Sequence, residues 1–263
     1  MKLGLIKTVV TGLALVIGAA SANAQTAFDD VKASGTLQIG WGEWKPFEYK
    51  DVISGELKGV MIDLAAELAR RMDLKSEFVL DGWGTMPAGI AAGRFQVALM
   101  GYSDGRAKVV DYSRPLYTSD FTGMVSKASG LTTWDELNQP GKKIAVTTGS
   151  STDELLTKLT ASGDIKAEVQ RIRDVGAGVL AVQSGNVDAY VNQRDSLSLM
   201  VAAQPQMTLV DGSFGQAWFG VVFPKGDTAY ETAINAAIES MIEDDYIAEK
   251  IAEYDIKGSV QAE

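Results

Sequence analysis

The sequence predicts an α/β protein of two similar lobes, each a mainly parallel sheet with flanking helices, joined by two hinge crossings. Three observations carry this. Strand-like and helix-like segments alternate along most of the chain, the order that lays helices on a parallel sheet. A helix ended by glycine and followed by a strand occurs twice, at "AGRFQVAL" and "QSGNVDAYV", a weak repeat of one supersecondary unit. The tail "TAYETAINAAIESMIEDDYIAEKIAEY" cannot make a third lobe and is expected to return and cover the first. Lobe 1 is therefore assigned to residues 25–120 and 213–263, and lobe 2 to residues 121–212.

The elements follow in order. "TAFDDVKASG" reads as a short helix, and "TLQIGW" alternates as a strand before a turn through "GEWKPF". In "LKGVMIDLAAELARRMDL", Met61, Leu64, Leu68 and Met72 recur at three- and four-residue steps, one apolar helix face. "KSEFVL" is a strand, "TMPAGIAAGR" a short helix and "FQVALM" a buried strand. After "YTSDFTG", read as a hinge, the order restarts. "GKKIAVTTGSSTDELLTKL" is a strand, a Gly/Ser turn and a helix; "AEVQRI", "AGVLAVQSG" and "VDAYVN" are strand, helix and strand. "FGQAWFGVVFPKG" is strand-like and aromatic, and the terminal "KGSVQAE" reads as a frayed end.

Residues 1–24 read as a cleavable secretory signal peptide: two lysines, the apolar run "TVVTGLALVIGAA", then the small-residue site "ANA" before Gln25. No other segment approaches the roughly 20 apolar residues that span a bilayer. The product is expected in the periplasm, where a chain without cysteine makes no wrong disulfides. The remaining 239 residues suffice for two small lobes, and a monomer is expected. Lys and Arg total 24 against 34 Asp and Glu, a net charge of −10 that becomes −12 without Lys2 and Lys7. That field repels nucleic acid and anionic lipid, so neither is expected as a partner.

"GYSDG", Gly101 to Gly105, spells G-x-S-x-G, the turn that carries a nucleophilic serine in many hydrolases. Such a serine needs a base, and this chain contains no histidine and no S-x-x-K near Ser103. Ser103 is not a triad nucleophile. Lack of histidine and cysteine also removes the usual ligands of zinc, copper and haem, so no metal or cofactor is expected.

Four stretches together resemble a known family, the polar-amino-acid solute-binding proteins (family 3) of bacterial ABC importers, which have the type II periplasmic binding protein fold. "WKPFEYKDVISGELKGVMIDLAAELARRM" is similar to the family's aromatic-x-Pro-Phe turn, glycine-containing hairpin and helix. "GRAKVVDYSRPLYTS" resembles its arginine turn and first crossing, "VTTGSSTDELL" its Thr-Gly-Thr-Thr helix start, and "LAVQSGNVDAYV" the strand leading to the second-lobe site. The resemblance spans residues 36–255 in matching order. It implies a non-enzymatic protein that closes two lobes around a small amino-acid-like or zwitterionic carboxylate and delivers it to a membrane ABC permease.

By resemblance, Arg106 grips the ligand carboxylate, with Ser103 and neighbouring groups such as Tyr102 as further contacts. An arginine fork suits that task, since it binds a carboxylate bidentately; the plain alternative is a surface arginine paired with Asp104 or Asp111. Ser150 and Ser151 stand at a helix start, where free N–H groups and the helix dipole favour an anion, or where they simply cap the helix. Trp44 takes the place of the family's ligand-packing aromatic. Trp41 and Glu43 share its turn, and Trp83 falls near another cleft position. Two departures stand out. The family places an aspartate five residues after the Asp of its "D-A-V-V" strand to hold the ligand ammonium, and counting from Asp188 gives the neutral Gln193. Either the ligand lacks an ordinary α-ammonium or another acid, Glu43 or Asp195, replaces it; Gln193 and the tryptophans together lean toward an amino-acid derivative, an ectoine-like solute or a methylated amine. In addition, "MGYSDGR" is shorter than the family's glycine-to-arginine spacing, which touches Ser103 more than Arg106. The alternative function is a dehydratase-like periplasmic lyase on the same scaffold, using Glu43 or Asp195 as general acid; a chemoreceptor sensor would differ from a transport protein only in partner.

Overall fold

A computed structural model of the chain describes residues 27–256; the signal-peptide assignment at residues 1–24 and the frayed "KGSVQAE" lie outside them. The elements run α1 (Ala27–Ser34), β1 (Thr36–Trp41), the hairpin β2 (Tyr49–Lys50) and β3 (Leu57–Lys58), α2 (Val60–Arg71), β4 (Lys75–Leu80), α3 (Met86–Ala91), β5 (Val97–Gly101) and β6 (Val110–Tyr112). After the long strand β7 (Tyr117–Ser126) come α4 (Trp134–Leu137), β8 (Lys143–Thr147), α5 (Ser151–Ser162), β9 (Glu168–Ile172), α6 (Val175–Gln183), β10 (Ala189–Gln193), α7 (Arg194–Ala202) and β11 (Met207–Leu209). A second long strand, β12 (Gly215–Pro224), leads into α8 (Thr228–Glu243) and α9 (Tyr246–Glu253).

The main sheet follows the order β4-β1-β5-β12-β7-β10-β8-β9. At one end β4, β1 and β5 are parallel; at the other, β10, β8 and β9 are parallel. The two long strands join these halves. β7 pairs with β12 over Tyr117–Phe121 and with β10 over Phe121–Val125, both antiparallel. β12 pairs with β7 over Gly215–Phe219 and with β5 over Phe219–Val222. Each crossing strand therefore belongs to both halves, and "YTSDFTG" is continuous strand rather than a loop. The result is the two-lobed type II architecture, with the hinge made of two paired strands.

Both faces of each half-sheet are buried, which is why its strands read as apolar runs. Val97 and Leu99 of β5 face a core with Met61, Leu64 and Leu68 of α2, while Ala98 and Met100 face another with Met86, Ile90 and Phe95. In the second lobe Ile144, Val146 and Val191 face one side, and Ala145 and Tyr190 the other. This is the two-residue side-chain alternation of a strand. The helical tail breaks at Asp245, which adopts φ 60°, and Ile234, Ile238, Met241, Ile247 and Ile251 join the core around α2.

Candidate functional site

Three parallel strands end at the same seam. β5 ends at Gly101, β8 at Thr147 and β10 at Gln193, and all three residues line one cavity between the lobes. Carboxyl ends of parallel strands are where open α/β sheets hold ligands. Trp44, Trp83, Arg106 and Phe219 form the first lobe's part of the lining, and Ser150, Ser151, Val175 and Asn192 complete the second lobe's. The lobes are closed on one another, and the cavity is about 30 Å³, room for roughly two waters. A solute enters by opening the seam.

Arg106 sits in a one-turn 3₁₀ segment after the strand-end turn and is only 4% exposed. Its Nη1 donates to Gly101 O at 2.8 Å, and its Nη2 reaches across the seam to Gly149 O at 2.7 Å. The Tyr112 hydroxyl also donates to Gly101 O, at 2.9 Å, so that carbonyl is held from two sides. Among the described residues no carboxylate is hydrogen-bonded to the guanidinium. The nearest, Glu154 of the second lobe, stands 3.6 Å from Nε, and Nε itself has no hydrogen-bond partner. Burial lowers the pKa of Arg106, with Tyr112 and Glu154 opposing the shift; arginine nonetheless keeps its proton. A buried cation without a hydrogen-bonded anion is costly, and an incoming carboxylate relieves that cost.

The aromatic part is rigid. Trp44 stacks on Phe47 (centroids 4.2 Å) and Phe219 (5.6 Å), and meets Trp83 edge-on at 6.0 Å and 85°. Its Nε1 donates to Ser196 Oγ of the other lobe at 2.8 Å. On the opposite face, Ser150 is the N-cap of α5: its Oγ accepts from Asp153 N–H at 3.1 Å and donates to Thr147 O at 2.8 Å. Ser150 thus caps as well as lining the cavity, while Ser151 packs against Gly101, where an added Cβ would stand 2.6 Å from its Oγ. Thr147 Oγ1, Tyr190 OH and Asn192 Nδ2 form a buried chain at 2.9 and 3.1 Å. Gln193, 4% exposed, has a buried Oε1 without a partner. Gly149 lies where the backbones nearly touch: at φ +71°, a Cβ on it would be 2.7 Å from Gly84 Cα of the first lobe.

Of the residues singled out in the sequence, the structure brings Arg106, Trp44, Trp83, Ser150, Ser151 and Gln193 to this cavity. It places the others elsewhere. Trp41 is buried at the end of β1. Glu43 is exposed, and its Oε1 accepts from Lys50 N–H at 3.3 Å. Tyr102 stacks on Trp218 at 4.7 Å. The Ser103 hydroxyl accepts the Arg106 backbone N–H at 3.2 Å, shaping the arginine turn, and Tyr102 and Ser103 line a neighbouring recess with Glu154 and Lys158. Asp195 is fully buried in the first turn of α7, with Oδ1 accepting from Ser196 N–H at 2.7 Å. Burial pushes its pKa up to about 6, against hydrogen bonds from Ser196 and Ser119. Neither carboxyl proposed as a general acid lines the cavity: Glu43 is in solvent and Asp195 is buried in α7. Thr147, Asn192, Val175 and Phe219 were not singled out; the strand-end rule reaches Thr147 and Asn192, whereas Phe219 lies mid-strand in a crossing and carries no local signal.

Known proteins resemble this chain over most of its length. The family model of bacterial extracellular solute-binding proteins, family 3, matches residues 37–255. The L-cystine-binding protein TcyJ of Escherichia coli is 27% identical over 220 residues, 81% of this chain and 80% of that protein. A probable histidine-binding protein of Campylobacter jejuni is 27% identical over 201 residues, 75% of each. Among solved structures, a mutant of ArgBP from T. maritima superposes with a TM-score of 0.77 at 25% identity, covering 87% of this chain and 99% of that one. Cyclohexadienyl dehydratase of Pseudomonas aeruginosa also matches, at 26% identity over 54% of each chain, so the scaffold has carried an enzyme; the transporter-binding names among the relatives place this chain with the binding proteins. Among the described residues no helix is long and apolar enough to cross a membrane. The chain belongs to the bacterial extracellular solute-binding proteins, family 3.

Proposed function

We propose that this protein captures a small carboxylate-bearing, amino-acid-like solute between its lobes in the periplasm and presents it, closed, to the membrane permease of an ABC importer. The observation that carries this is the buried Arg106 guanidinium, aimed at the seam and hydrogen-bonded there to the Gly101 and Gly149 carbonyls rather than to a carboxylate of the described residues. The solute carboxylate replaces the Gly149 carbonyl at Nη2 and takes the free Nε, forming a charge-assisted pair in a water-poor cleft. The start of α5 adds the positive end of its dipole from the other lobe. Because one wall comes from each lobe, the full contact set exists only when closed, and the solute shifts the hinge equilibrium by its differential affinity for that state.

Calorimetry with L-amino acids and their matched carboxamides tests this. The amino acid that binds is expected to lose at least about a hundredfold in affinity as its carboxamide, because the buried guanidinium then lacks its anion. Equal affinity of acid and amide contradicts the assignment.

A further inference from the structure

Granting that Arg106 holds the α-carboxylate, as proposed above, we propose that the solute is an α-amino acid with an uncharged, apolar side chain. Its ammonium donates to Gln193, and its side chain packs against Trp44, Trp83, Val175 and Phe219. The charge inventory is the first support. Of the residues lining the cavity, Arg106 alone is charged. No carboxyl group is among the lining residues; Asp153 is tied to Gly149 N–H and Arg171, and three others close by are likewise not offered to a solute. Glu154 sits 3.6 Å from Arg106 Nε and lines a separate recess. Asp195 is fully buried and bonded to its own helix start. Glu48, 3% exposed, accepts from Gly42 N–H at 3.4 Å within the Trp44 turn. Burial raises the pKa of both Asp195 and Glu48, which weakens them further as counter-ions.

A basic side chain would therefore lose its water on closure and gain no carboxylate. Attraction to an indole face offsets part of that loss, but supplies none of the hydrogen bonds a guanidinium or ammonium gives up. An acidic side chain would bring a second anion to a cavity with one cation. An apolar side chain meets a surface already built for it: Trp44 and Trp83 make a corner at 85°, with Phe219 behind Trp44.

Gln193 decides the other end. Its Oε1 is buried and unpartnered, so it needs a donor. A primary ammonium supplies N–H groups; a trimethylammonium has none and leaves the oxygen orphaned. This separates an ordinary amino acid from a methylated one, even though both carry the same charge.

The test is calorimetry on the purified exported protein with L-leucine, L-phenylalanine, L-arginine, L-lysine, L-glutamate and N,N,N-trimethyl-L-leucine. Leucine or phenylalanine is expected to bind tightest, with the basic, acidic and trimethylated compounds at least about tenfold weaker. In Gln193→Leu, leucine is expected to lose about tenfold while trimethyl-leucine is unchanged, closing the gap between them. Arginine or lysine binding as tightly as leucine and phenylalanine overturns the inference and leaves carboxylate capture standing. A gap that persists in Gln193→Leu overturns the role of Gln193. Failure of the set with tight binding of L-glutamine, L-histidine or L-cystine instead overturns the apolar assignment and leaves carboxylate capture standing; failure of these as well overturns the capture reading itself.

Discussion

The two walls of the cleft are made of different chemistry on different supports. The first lobe offers Trp44, Trp83 and Phe219 with Arg106 at their edge; the second offers hydroxyls and amides, Thr147, Ser151, Asn192 and Gln193, at strand and helix ends. The aromatic wall is held by stacking within its own lobe, on Phe47 and the crossing strand, so it persists when the lobes part. The polar wall contributes to a solute only on closure, when Gly149 meets Gly84 and Ser196 meets Trp44. The first wall is a docking surface, and the second turns docking into capture.

Four changes break or sharpen that division. Arg106→Ala removes the charged edge of the first wall and is expected to weaken solute binding by about 10²–10³-fold in calorimetry, the usual scale for losing one partner of a buried charge pair. The fold should persist, since the arginine's own bonds are to two carbonyls.

Asp195→Asn probes the support of the second wall. In the folded protein Asp195 keeps its proton up to about pH 6, whereas a solvated aspartate releases it near 3.8. Below both values the carboxyl is protonated whether folded or unfolded and contributes nothing. As pH rises between them the unfolded chain ionises first, so stability falls, by on the order of 3 kcal/mol once pH exceeds 6. Asp120 and Tyr117 face this group as acids, and Ser119 and Ser196 as donors. The asparagine variant is expected to melt roughly 6–12 °C higher at pH 7 and to lose most of that gain at pH 4 by calorimetric scanning; an equal gain at both pH values would remove the titration from the account.

Gly149→Ala acts on closure alone. Its methyl group would stand 2.7 Å from Gly84 Cα across the seam, costing the closed state roughly 1–2 kcal/mol; the strain of a left-handed alanine weighs on open and closed states alike. Affinity should fall about tenfold, with scattering at equal solute excess showing a more open particle. Trp44→Phe keeps the aromatic surface and deletes the 2.8 Å bond to Ser196. That loss is about 1 kcal/mol, roughly fivefold in affinity, and it should vanish in a Ser196→Ala background.

Much of this was legible in the sequence because local patterns set it. The turn that carries Arg106 after strand β5 and the Ser150 helix start follow from the alternation of strands and helices. Gln193 followed from the family resemblance, five residues after Asp188. Side-chain direction was less readable. Trp41 and Trp44 are three residues apart in one turn, yet only Trp44 lines the cavity, because orientation there depends on how the turn packs against β12. Helix α7 has no clear apolar period, and its Asp195 is sealed by strand β7 from distant sequence. Phe219 owes its place to the crossing strands, whose pairing no local window contains.

A crystal structure with the bound amino acid tests the central claim most directly. The account predicts both carboxylate oxygens within hydrogen-bond distance of Arg106, with the Arg106–Gly149 bond of 2.7 Å exchanged for the ligand. A ligand seated elsewhere, with Arg106 still holding the Gly101 and Gly149 carbonyls, contradicts it.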